Sequence, residues 1–144
     1  MRKHCHRKER DPRGCITSRL PLEDNQLRDL GIAYRASLEA MLNGKGDDQA
    51  FNTLACALNI ALVLCERGIG EEFIPTIKHA QNCLINCRER AARFNNWSFT
   101  ADEARTILKA FAIHDEQIPL ATKKEIVFSL DEVRRRIEQN EVLV

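Results

Sequence analysis

The sequence predicts an all-α protein, an antiparallel bundle of about five helices behind a basic N-terminal tail. Three observations predict it. Apolar residues recur at offsets of three and four along most of the chain, the period of one helix face. No stretch alternates apolar and polar residues with period two, so no half-buried strand is expected. Short polar runs rich in Gly, Asp, Asn and Thr separate the apolar stretches, and short links favour antiparallel neighbours. A length of 144 residues fits one domain with one core.

Residues 1–21 are assigned to the tail and 22–144 to the bundle. In the first helix Leu27, Leu30, Tyr34, Leu38, Met41 and Leu42 share a stripe, and Arg28, Asp29 and Glu39 face water. Leu27, Tyr34 and Met41 are also heptad-spaced, a pattern that serves a core or a dimer seam; the core is the expected use. Asn43-Gly44-Lys45-Gly46 stops this helix, and Asp47 or Asp48 caps the second. There the run from Leu54 to Cys65 is apolar nearly all round, which places the helix in the middle of the bundle. That run is about twelve residues long, short of the roughly 20 that cross a bilayer.

Gly68-Ile69-Gly70 is the next stop: glycine takes the left-handed turn beyond a helix and Ile69 packs back on its last turn. Glu71 and Glu72 suit the positive start of a third helix and Pro75 its first turn. Ile77, Ala80, Leu84, Cys87, Ala91 and Phe94 form its inward stripe. Thr100 and Glu103 have the spacing of a capping box, opening a fourth helix with Ala104, Ile107, Leu108 and Phe111 inward. Pro119 is expected to interrupt the chain before a fifth helix, with Ile126, Leu130, Val133 and Ile137 on one side and Asp131, Arg135 and Glu138 on the other.

A formal charge of +1 conceals an asymmetry. Met1 to Pro21 holds seven Arg or Lys against two acids, a net of +5 that leaves −4 for the remainder. Six scattered cysteines and a basic start with no apolar region behind it point to a reducing cytoplasmic setting. No membrane association, metal or cofactor is expected. His4, Cys5, His6 and Cys15 are of types zinc accepts, but adjacent His-Cys-His cannot set three donors tetrahedrally around one ion. His79, Cys83 and Cys87 lie four residues apart on one slowly winding ridge that runs into the core stripe, where cysteine acts as a small hydrophobe. The chain has no phosphate loop, nucleophile elbow or H-E-x-x-H motif. In "AIHDEQ" His114 stands beside Asp115 and Glu116, placed at a helix end where the dipole's negative pole favours a histidine.

For nucleic acid the tail supplies phosphate contacts through Arg2, Lys3, Arg7, Lys8, Arg10 and Arg13, and the last helix adds Arg134 and Arg135. Against this, the tail has no aromatic residue for stacking bases and acids dilute the last helix. Trp97, in the polar turn "NNWSF", is either a lid folded onto the bundle or an anchor for a partner.

The basic opening "MRK", the middle helix ending in "ERGIGEE", and "HDEQ" before an Arg-rich final helix resemble small proteins carried by phages, prophages and integrative elements of proteobacteria. Members of that group are often labelled Fis-type regulators, although this chain has no clear Fis-like C-terminal recognition helix. The resemblance implies a mobile-element accessory protein and supplies no catalytic residues. The expected function is non-enzymatic: binding of a host protein or ribonucleoprotein, as a regulator or an inhibitor of host defence. The alternative is a DNA- or RNA-binding regulator that uses the tail and the last helix. The sequence leaves the oligomeric state open.

Overall fold

Each polar run of the sequence becomes a helix cap or a turn, and the computed structural model describes the backbone of residues 24–141 and the side chains of residues 31–141. Five helices follow one another: α1 (Asp24–Leu42), α2 (Asp48–Glu66), α3 (Ile74–Phe94), α4 (Ala101–Leu120) and α5 (Lys123–Glu138), with a 3-10 turn at Glu71–Phe73. No strand occurs among the described residues. The structure is the helical bundle that the sequence predicts.

The caps are built by the residues the sequence marks. Asp47 accepts the Ala50 amide at 2.7 Å and opens α2. At the other end Ile69 N–H bonds Leu64 C=O at 2.9 Å and Gly68 N–H bonds Cys65 C=O at 3.0 Å, the paired closure of a helix that turns through a left-handed glycine. Gly68 has φ +96°, a conformation costly for any residue with a Cβ. Capping boxes open α4 at Thr100 with Glu103 and α5 at Thr122 with Glu125.

α2 is apolar all round because it packs against each of the other four helices. Leu54, Leu58, Leu64, Ile77, Leu84, Ile107 and Met41 are fully buried, and truncating such a leucine to alanine costs about 2–5 kcal/mol. Ile60, Val63 and Leu64 face the opposite way and receive Val133 of α5, with Ile69 and Leu130 around them. Among the described residues α2 alone has the length and apolarity to cross a membrane, and 72% of that apolar window is buried against its neighbours. Chain direction follows from the side-chain pairs. Arg88 lies over Phe51 and Gln81 bonds Asn59, so α3 runs antiparallel to α2. Tyr34 and Met41 join the core, the use expected for the heptad-spaced stripe; the side chain of Leu27 lies outside the described residues.

Four apolar residues expected to face inward do not. Leu42, Phe94, Leu108 and Ile137 are exposed. Leu42 is the last residue of α1, and Phe94 closes α3 just before Asn95 turns the chain away in the left-handed conformation. Leu108 flanks the buried stripe of α4, which runs through Ile107, Ala110, Phe111, His114 and Gln117. Ile137 stands in the last turn of α5, next to Arg136, which meets Glu66 at the end of α2. Pro119 does not interrupt the chain either: it lies inside α4, which ends one residue later, and Ala121 is the first extended residue. A proline in the last turn removes one intrahelical bond where the helix is about to stop.

Candidate functional site

α1 leans on α2 and meets α4 mainly through Tyr34, which leaves an open groove of about 920 Å³ between α1, α2, the end of α4 and the start of α5. Ala57, Ile60, Ile118 and Ile126 contribute apolar wall, and Ile32 shows 56% of its surface at the rim. Polar groups line it from three helices: Asp48, Gln49, Asn52 and Thr53 on α2, Tyr34 and Arg35 on α1, and His114 and Asp115 on α4. The Tyr34 hydroxyl donates to Asp115, its ring stacks on Phe111 with centroids 5.2 Å apart, and it tilts against His114 at 5.6 Å. Arg35 reaches Asp115 at 3.2 Å and lies over the Tyr34 ring. Burial nonetheless raises the Asp115 carboxyl above its ordinary range. Arg35 is 62% exposed, so water screens its charge and weakens its pull on the carboxylate.

His114 is the best-buried polar residue of this wall, at 3% exposure. Its Nδ1 lies 3.2 Å from Oε1 of Gln117. The Gln117 amide nitrogen faces three acceptors, Ile69 C=O at 2.8 Å, Cys65 Sγ at 3.1 Å and Ala61 C=O at 3.2 Å. Those acceptors fix the amide's orientation, so its oxygen must accept from Nδ1–H of His114. Burial lowers the imidazole pKa and outweighs the bond to Gln117, which raises it. The ring is therefore neutral at neutral pH, with the proton on Nδ1 and a lone pair on Nε2.

Sequence reasoning placed His114 at a helix end; the structure puts it inside α4, six residues before Leu120. The signal was available in the spacing. Ile107, Ala110, Phe111, His114 and Gln117 continue one stripe, and a His and a Gln on that stripe had to be buried with partners. Nothing local announced Asp115 as the partner of Tyr34, 81 residues away.

The other candidate residues are dispersed. Trp97 is the lid: half-buried, it packs on the core with its ring 5.5 Å from Phe51. Beside it Arg90 binds the Ser98 carbonyl at 2.7 Å and Glu103 at 2.6 Å, holding the α3–α4 turn. On α5 Arg134 lies 3.9 Å from Asp131, and Arg135 lies 2.7 Å from Glu132 and 3.2 Å from Glu141. Bonds from Arg135 and Arg136 pull the Glu132 pKa down to about 2. This is a salt-bridged solvent face. His79 is exposed whereas Cys83 and Cys87 are buried, so the ridge they share is split between water and core. Burial raises both thiols above their ordinary pKa. Arg2, Lys3, Arg7, Lys8, Arg10 and Arg13 lie outside the described residues.

Comparison with family models, with curated proteins and with solved structures gave no match.

Proposed function

We propose that this chain is a non-enzymatic accessory protein of a phage or mobile element, acting in the cytoplasm of its bacterial host. It binds a host protein, as a regulator or an inhibitor of defence, and the groove beside α1 is its recognition surface. The observation that carries this reading is the groove itself. It is open, large enough to bury a recognition element, and sets the apolar side chains of Ala57, Ile60, Ile118 and Ile126 among polar groups from α1, α2 and α4. The likeness to phage and integrative-element proteins supports the biological setting.

The nucleic-acid reading draws on the +5 charge of residues 1–21. On α5, Arg134 and Arg135 are engaged with acids and offer phosphates little unspent charge. Pull-down from proteobacterial lysate, with and without nuclease, separates the readings when run beside the variant Ile32→Asp. That change places a charge at the groove rim on a side chain already exposed, so the fold is preserved. A protein partner that survives nuclease and is lost with I32D is the expected result. Capture abolished by nuclease, or by neutralising Arg2, Lys3, Arg7, Lys8, Arg10 and Arg13 while I32D binds normally, would overturn it in favour of nucleic acid. A dimer in sedimentation that I32D dissolves would assign the groove to a second copy instead.

A further inference from the structure

We propose that a second hollow, on another face of α2 from the groove, binds a free α-amino acid with a short apolar side chain. The hollow holds about 250 Å³ between α2, α3 and α5 and shares no residue with the groove. Its floor is Gln81, 1% exposed, whose amide nitrogen donates to Asn59 at 2.9 Å. Gln81 Oε1 receives no donor, and among the described residues it is the buried side-chain atom left without a partner. An unpaired buried acceptor is costly, and a leucine at this position would fill the space between α2 and α3 without that cost. The bond to Asn59 accounts for the Gln81 nitrogen and leaves its oxygen for a donor that enters the hollow.

The charges of the lining restrict the ligand. Glu66 and Glu141 balance Lys78 and Arg136. Arg136 is engaged by Glu66 at 2.6 Å and by Glu132 at 3.0 Å, and Glu141 lies 3.2 Å from Arg135. Lys78 is exposed and has no partner among the described residues. What remains is one available cation and one neutral acceptor, and they are neighbours: Lys78 and Gln81 stand three residues apart on α3, side by side on one helix face. A ligand that satisfies both needs an anionic group and a donor close together. The carboxylate and ammonium of an α-amino acid are carried by one carbon, and the zwitterion adds no net charge to a lining already balanced. A bare anion such as phosphate would leave Gln81 Oε1 unpaired, and a simple amine would leave Lys78 so. Leu62 and Val133 are the apolar members of the lining and suit a short aliphatic side chain.

Titration of the full chain with L-leucine, followed by calorimetry and by the NMR signals of the Gln81 side-chain amide, tests the site beside two analogues that each lack one group. Leucinamide keeps the ammonium and lacks the carboxylate; 4-methylpentanoate keeps the carboxylate and lacks the ammonium. L-Leucine should move the Gln81 signals and bind about tenfold tighter than either analogue, the worth of one hydrogen bond to a charged group. Lys78→Gln, a change at an exposed position that leaves the fold intact, should erase the preference over leucinamide. Gln81→Leu should erase the preference over 4-methylpentanoate; if that variant folds poorly, the Lys78 variant and the Gln81 signals of the wild type decide the matter. Gln81 signals unmoved by L-leucine in the millimolar range would overturn the proposal and assign the hollow to water alone. Equal binding of L-leucine and either analogue would overturn it as well, since one of the two groups would then go unread. A leucine affinity indifferent to both variants would overturn it by placing the ligand elsewhere on the chain.

Discussion

Replacing Gln117 with leucine tests whether one buried amide fastens three parts of the bundle together. Gln117 is 2% exposed and joins α4 to the end of α2, to the turn after it and to His114. Its amide has two hydrogens for three acceptors. Ala61 C=O lies inside α2, where it has a helical partner, and a thiol accepts weakly, so Ile69 C=O at 2.8 Å is the bond that matters most. The leucine variant loses that bond and the one to His114, about 1 kcal/mol each. The stranded Ile69 carbonyl adds about 1 kcal/mol, and the better burial of leucine returns a similar amount. The net loss is about 2 kcal/mol, which for a domain of this size lowers Tm by roughly 6–10 °C. Circular dichroism melts and urea titrations measure it. A double-mutant cycle with His114→Phe should show the two changes coupled by about 1 kcal/mol, because each removes the same bond. A Tm within about 2 °C of wild type, or strictly additive losses, would refute the reasoning.

Gly46→Ala should cost about 1–3 kcal/mol. A Cβ there would stand 2.8 Å from the Trp97 carbonyl and 3.1 Å from Trp97 Cβ, and would strike Met41 Sδ; a melt unchanged from wild type would contradict the packing. Trp97→Ala should destabilise by roughly 1–3 kcal/mol, less than for a fully buried tryptophan because the side chain is only half-covered. Trp97 is the only tryptophan, so its native fluorescence should be blue-shifted and should redden in step with the loss of helix; emission already red in the native protein would argue against the lid. Stability should fall in two steps on acidification. His114 has a lowered pKa, so the unfolded chain takes up its proton first; its contribution is complete above about pH 6.5 and declines below it. Burial raises Glu103, but bonds from Arg90 and the Thr100 amide more than offset this, so its net pKa is lowered. Its contribution is complete above about pH 4.5 and is lost below, as the pH falls through that lowered pKa. Urea unfolding across pH should lose the first step in His114→Phe and most of the second in Glu103→Gln; two profiles identical to wild type would disprove both assignments.

The sequence by itself determined the helices, their order and most of their ends. Helix period and cap chemistry are local: Thr100 and Glu103 are three residues apart, and Asp47 caps an amide three residues on. A helix apolar all round, as α2 is, can only be central, because each of its faces needs a cover. Local pattern failed at helix ends, where coverage depends on the neighbouring elements. Phe94 and Ile137 continue their stripes correctly, but each stands in the last turn of its helix and is exposed. The groove was decided by tertiary structure alone. It exists because α1 settles on α2 and reaches α4 at Tyr34 and Arg35, so that Tyr34, Asp115 and His114, far apart or differently assigned along the chain, line a single wall. No rule of spacing records how far two helices stand apart. That distance is set by how the side chains of all five helices fill the core together, and the gap left between them is the groove.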